Sequence, residues 1–134
     1  MTPEDTELVA AARELARTRC RGEDHTVAAL VRARDGRTVP GVNVYHFTGG
    51  PCAELVALGA AVAAGVAELD TIVAAGDAGR GVLPPCGRCR QVLLDLHPDI
   101  RVIVPAGGGL LRTVPVTELL PTSYAGPALR PDSG

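Results

Sequence analysis

The sequence predicts an α/β fold, a three-layer α/β/α domain around a five-stranded mixed sheet, and three observations carry that prediction. Helical and strand patterns interleave along the chain, as expected when helices cover both faces of a sheet. The dipeptide Asp35-Gly36 joins two apolar-rich runs and is a strong hairpin signal. Beyond residue 70, Gly and Pro divide the chain into further short strand and helix units.

Residues 3–20 read as a helix, with Thr2 as cap, Pro3 at its first position and an apolar stripe of Leu8, Ala11, Ala12, Leu15 and Ala16. The hairpin strands are Val27–Arg34 and Val39–Tyr45. A second helix is expected over residues 52–69. Thr71–Ala75 read as a strand, and Gly76, Gly79 and Gly81 as a loop. A third helix runs from Cys86 to about Leu96, where Pro98 stops it. Arg101–Val104 and Leu111–Val116 are strands on either side of the Gly107-Gly108-Gly109 turn, and Thr117–Leu120 form a short helix. One domain over residues 1–126 is expected, followed by a disordered tail at 127–134.

The second helix has no polar face between Leu55 and Ala67. A helix apolar all round must be buried all round. Either a second subunit covers its outer side, or it runs through the centre of a monomer. The first alternative is preferred, because 134 residues enclose a whole helix with difficulty.

Phe47, Tyr45 and Tyr124 are the aromatic residues, so the core must be aliphatic and few rings exist to stack on a flat ligand. The formal net charge is −2 and the arginines are scattered, which disfavours a polynucleotide partner. No apolar run approaches the roughly 20 residues of a membrane span. The acidic start (Glu4, Asp5, Glu7) is unlike a secretory signal, so a cytoplasmic location is expected. In such a compartment four cysteines read as metal ligands rather than disulfides. Cys20 lacks ligand spacing and reads as a helix-end or core thiol.

The chemistry lies in Pro51-Cys52-Ala53-Glu54 and Pro85-Cys86-Gly87-Arg88-Cys89. A catalytic zinc site takes three protein ligands and leaves the fourth position for water. Cys52, Cys86 and Cys89 supply three thiolates, and Glu54 stands beside them to move protons without ligating the metal. A non-ligating Glu with a Pro-Cys-x-x-Cys pair is the arrangement of zinc-dependent nucleobase deaminases. Both Pro-Cys pairs fall at expected helix starts. Their positive ends, with Arg88 or Arg90, offset the thiolate charge. The alternatives are a structural four-cysteine site that includes Cys20, or a redox Cys86/Cys89 pair. The first has no use for Glu54, and the second explains neither Cys52 nor Glu54.

Two blocks, Gly41–Leu55 and Arg80–Pro98, resemble the cytidine deaminase superfamily, and within it the blasticidin S deaminases. The resemblance spans about residues 24–124. It implies the cytidine-deaminase fold, a homotetramer, one Zn²⁺ per subunit on three cysteines, and hydrolysis of a cytosine moiety to uracil. The substrate would be a small cytosine nucleoside. By the same resemblance Glu54 is the proton shuttle, Asn43 faces the sugar, and Thr26 and Ala53 lie near the substrate. Arg88 bonds ligand sulfurs, in place of an Arg that many cytidine deaminases carry where this chain has Leu55.

Two departures matter. Tyr45 stands where cytidine deaminases hold ribose with a Glu, and a phenol cannot accept two hydroxyl hydrogen bonds as a carboxylate does. That suits a sugar with fewer hydroxyls. Conversely, the blasticidin subgroup ends in Tyr-x-Trp, whereas here Tyr124 is followed by Ala125-Gly126. Tyr124 is thus a pocket lid or a surface residue. Phe47 either stacks on the base or fills the core, and His46 either touches substrate or orders its loop. His25 and His97 read as structural.

Overall fold

A computed structural model of the protein describes residues 1–125. The tail expected at 127–134 lies outside the described residues. The elements run α1 (Pro3–Arg19), β1 (Val27–Ala33), β2 (Thr38–Val42), α2 (Ala53–Ala63), β3 (Leu69–Gly76), β4 (Gly81–Leu83), α3 (Gly87–Leu96), β5 (Arg101–Gly107), β6 (Leu110–Pro115) and α4 (Val116–Leu119).

Five strands lie in the order β2-β1-β3-β5-β6, and β4 pairs with β3 as a sixth. The β3–β5 pair is parallel and the others are antiparallel, so the sheet is mixed as expected. The sixth strand occupies part of the expected glycine loop. It is only three residues long, too short to show an alternating pattern, and Gly76 pairs directly with Gly81 across a tight turn.

Side chains alternate across the pleat. Ala28 and Leu30 of β1, with Val73 and Ala75 of β3, pack on Leu8, Val9 and Ala12 of α1. Ala29 and Val31, with Ile72 and Ala74, face Ala57, Leu58 and Ala61 of α2 and Leu93 of α3. Thus α1 covers one face, while α2 and α3 cover the other. Gly41 lets β2 lie against α2, because a Cβ there would stand 2.4 Å from the Ala57 nitrogen.

Helix α2 is shorter than the expected 52–69. Gly65 takes the left-handed conformation (φ +72°), while Gly65 N donates to Val62 O and Val66 N to Ala61 O. This pairing caps the last carbonyls and ends the helix. The helix buries Ala53, Glu54, Ala57, Leu58 and Ala61, yet Val62 is 77% exposed. A single chain therefore leaves its outer side uncovered. Cys20 caps α1, as a helix-end thiol should.

Candidate active site

Cys52 is the N-cap of α2 and Cys86 the N-cap of α3, each preceded by proline. Pro favours the extended backbone needed just before a helix and ends the preceding run. Both helices thus begin on a sulfur, with unpaired first-turn N–H groups behind it. Cys89 lies in the first turn of α3 and is buried. The spacing of Cys86 and Cys89 is one helical turn, which brings both sulfurs to the same end.

The three sulfurs all lie within 4.8 Å of one another. Cys52 Sγ and Cys86 Sγ are 3.7 Å apart. That is far beyond the roughly 2.05 Å of a disulfide. It matches the separation of about 3.8 Å for two sulfurs each about 2.3 Å from a tetrahedral zinc. Cys52, Cys86 and Cys89 are thus positioned to hold one metal ion. Cys20 is not part of this cluster, so the four-cysteine alternative is not formed.

Glu54 is only 6% exposed, in the first turn of α2. The Cys89 sulfur stands 3.7 Å from Glu54 Oε1. Burial pushes the Glu54 carboxyl above its ordinary value, against the opposing pull of its backbone hydrogen bond and of Cys89. Burial, then the Glu54 charge, raises the Cys89 thiol. For Cys86 burial acts upward too, but hydrogen bonding from the Cys89 backbone, the neighbouring sulfurs and the Arg88 backbone bring it below its ordinary value.

Arg88 reaches back across the site. Its Nη2 donates to Gly50 O at 2.9 Å and to Cys52 Sγ at 3.4 Å. Arg90 does not share this role. Its Nε donates to Pro85 O and its Nη1 to Leu119 O, so two carbonyls hold it and it ties α3 to α4.

A cleft of about 150 Å³ opens beside the cysteines, lined by Val27, Asn43, Cys52, Ala53, Glu54, Leu83, Pro84 and Cys86. Asn43 and Ala53 therefore line the cleft. Asn43 Oδ1 accepts from Thr26 N at 2.7 Å and Val27 N at 2.9 Å, and its Nδ2 donates to Thr26 Oγ1 at 3.2 Å. Thr26 touches the cleft through Asn43.

Other candidates stand apart in the single chain. Phe47 is 85% exposed and stacks obliquely on His46, with ring centroids 4.5 Å apart, so it does not fill the core. Tyr45 and Tyr124 are also exposed, and the Tyr124 carbonyl accepts from Gln91. His46 Nδ1 accepts from Thr48 N, which orders its loop. His25 bonds the Asn43 carbonyl and His97 is half-buried, both in structural settings. Leu83 and Pro84 were not singled out from sequence; the Leu-Pro-Pro run before Cys86 was the available signal.

The layered sheet and the thiolate cluster beside a buried carboxylate define a metal-dependent hydrolase. Comparison with known proteins narrows the class. The family described as the cytidine and deoxycytidylate deaminase zinc-binding region matches residues 2–105, and the chain belongs to it. It is a zinc-dependent aminohydrolase that performs hydrolytic deamination.

Among its relatives, a blasticidin-S deaminase from Bacillus cereus is 33% identical over 133 residues, covering 92% of this chain and 94% of that protein. A cytidine deaminase from Halalkalibacterium halodurans is 36% identical over 101 residues, covering 73% and 76%. The crystal structure of a Burkholderia pseudomallei cytidine deaminase superposes with a TM-score of 0.74 at 32% identity, over 92% of this chain and all of that one. The Mycobacterium tuberculosis cytidine deaminase gives 0.70 at 26% identity, over 94% of this chain and 100% of that one.

Proposed function

We propose that this enzyme deaminates the cytosine moiety of a free nucleoside or nucleoside antibiotic, with a blasticidin S-like compound as the leading substrate. The observation that carries the deaminase chemistry is the convergence of three sulfurs on a buried carboxylate that faces a small cleft. The near-complete coverage of a blasticidin-S deaminase supports the leading substrate. So does the sugar side of the cleft. Asn43 spends its carbonyl and one N–H on Thr26 and Val27, leaving one N–H for a ligand, and Tyr45 stands beyond it without a carboxylate.

Cys52, Cys86 and Cys89 would hold the zinc, which when bound would make water a nucleophile at neutral pH. The chain's own residues do the rest. Glu54, held at the mouth of α2 and out of bulk water, takes a proton from water and delivers it to N3 of the base. The hydroxide left by that transfer adds to C4, and Glu54 then moves the remaining hydroxyl proton to the amine as the C4–N bond breaks, so that a C4 carbonyl remains and ammonia leaves. Ala53 and Asn43 hold the base and sugar, and Arg88 keeps Cys52 oriented by binding its sulfur and the Gly50 carbonyl.

Cytidine or deoxycytidine is the second reading, favoured by the H. halodurans relative and the crystallographic neighbours. Ammonia release from cytidine, deoxycytidine and blasticidin S separates the readings. A kcat/KM for blasticidin S below that for both nucleosides would overturn the leading one.

The uncovered Val62 side of α2 and the projecting Phe47 support a homotetramer. In such an assembly Phe47 and Tyr124 can meet a neighbour's surface. Light scattering at micromolar protein should give the mass of four chains, and a monomer mass would refute it. The unpaired thiols suit a reducing, cytoplasmic compartment. Among the described residues no helix is long and apolar enough to cross a membrane.

A further inference from the structure

The β3–β4 turn is built around an arginine with no part in the chemistry above. Ala78 and Gly79 both take left-handed conformations (φ +54° and +73°), and Arg80 N closes the turn on Asp77 O at 3.1 Å. An alanine side chain is disfavoured there, and such a conformation persists only where surrounding contacts hold it. Those contacts converge on Thr26. Asp77 N donates to Thr26 O at 2.9 Å, and Arg80 Nη2 donates to the same oxygen at 2.7 Å. Arg80 Nη2 also meets Asp77 Oδ1 at 2.9 Å. The guanidinium lies close against Gly76, where a Cβ would stand 2.7 Å from Nε and 2.8 Å from Cζ.

Thr26 is held on its other side by Asn43, through its N–H and its hydroxyl. Val27 and Asn43 form one wall of the cleft, while Leu83 and Pro84 form another. Arg80 links the two segments that carry those walls: it bonds Thr26, which precedes Val27, and it immediately precedes β4, which ends in Leu83. Its ion pair with Asp77 is part-exposed and contributes little by itself. The informative contact is the one to Thr26, which couples the turn to the opposite wall.

We propose that Arg80 is a positioning residue for substrate binding: it sets the spacing between the Asn43 wall and the Leu83–Pro84 wall. The inference rests on the deaminase reading. The side-chain hydrogen bonds of Arg80 go to Thr26 and Asp77 and to no residue of α2 or α3, so Arg80 acts on binding of the nucleoside rather than on the chemical step.

The test measures ammonia release from the best of cytidine, deoxycytidine and blasticidin S, using zinc-loaded wild type, Arg80→Ala, Arg80→Lys, Gly76→Ala and the Gly76→Ala/Arg80→Ala double variant. Arg80→Ala should raise KM about tenfold, the loss expected for a charged hydrogen-bond donor. Its kcat should stay within about threefold, with an unchanged pH profile and zinc content. Arg80→Lys, which keeps a cationic donor, should fall between. Gly76→Ala, whose methyl displaces the guanidinium, should raise KM similarly, and the double variant should be no worse than either single one.

Arg80→Ala still leaves Asp77 N on the Thr26 carbonyl, and Gly76→Ala carries the test should Arg80→Ala not fold. A lowered Tm with KM unchanged would make Arg80 merely structural and overturn the proposal. So would effects of Gly76→Ala and Arg80→Ala that multiply. A zinc-loaded wild type that releases no ammonia from any of the three compounds would instead sink the deaminase reading, and this proposal with it.

Discussion

The two faces of the sheet both bury ionisable groups, and they treat them in opposite ways. On the α1 face, Asp5 is 1% exposed and fully partnered. It accepts from Arg32 Nη2 at 2.8 Å and from Thr113 Oγ1 at 2.8 Å, and Arg32 also reaches Asp70 and Thr71. On the α2/α3 face, Glu54 has the Cys89 thiol beside it and, among the described residues, no Arg or Lys within ion-pair distance. Burial opposes charge at both places. At Asp5 the hydrogen bonds from Arg32 and Thr113 and the Arg32 charge outweigh it, so the carboxyl sits below its ordinary value. At Glu54 burial wins and the carboxyl sits above. A paired carboxylate fastens a helix to a sheet, whereas an unpaired one beside thiolates is available to take and give protons.

The sharpest way to break this contrast is to remove a sulfur. Cys86→Ala should take metal content from one equivalent to near zero, abolish ammonia release and lower Tm, because ligation is coupled to folding. Metal analysis of the purified variant checks it, and retained zinc with activity would mean that the cluster is not the metal site. Next in size, Glu54→Gln should lower kcat by roughly 10²–10⁴-fold while zinc and Tm stay near wild type. Near-normal turnover in that variant would put the proton shuttle elsewhere.

The other face should respond in stability rather than rate. Asp5→Asn should cost about 2 kcal/mol in urea unfolding, since it weakens the charged hydrogen bond to Arg32 and leaves Asp70 as that arginine's carboxylate partner, and leave kcat of the folded enzyme unchanged. The pH dependence has a definite sign. A carboxyl depressed on folding stabilises at pH values above its unfolded pKa of about 3.9, and that contribution is lost as pH falls through the lower folded value. Wild type should therefore lose stability from about pH 5 downward more steeply than Asp5→Asn. Equal slopes would remove Asp5 from the account. Smallest of all, Cys20→Ala at the end of α1 should keep full zinc and activity and shift stability by under about 1 kcal/mol.

Much of the fold was legible because its signals are local. Asp35-Gly36 did turn β1 into β2, with Gly36 at φ +93°. Thr2 and Pro3 did start α1, and Thr2 Oγ1 caps Asp5 N. The misreadings fall where local pattern is weak. Helix α2 is uniformly apolar, so periodicity could not mark its end, and only the backbone of Gly65 shows where it stops. Strand β4 has three residues and no alternation. Arg88 and Arg90 are two residues apart and look equivalent in sequence, but they leave α3 in different directions and find different partners.

By itself the sequence determined what depends on covalent spacing: two helices that open on cysteine, a second thiol one turn into α3, and a carboxylate in the first turn of α2. Those positions follow from helix geometry whatever the helices pack against. The tertiary structure alone decided what depends on strand order. It brings Asp5 to Thr113 from 108 positions away. It also sets the β3–β4 turn on Thr26. No local pattern encodes such pairings, because they arise only when the sheet closes and the groups it buries must find partners.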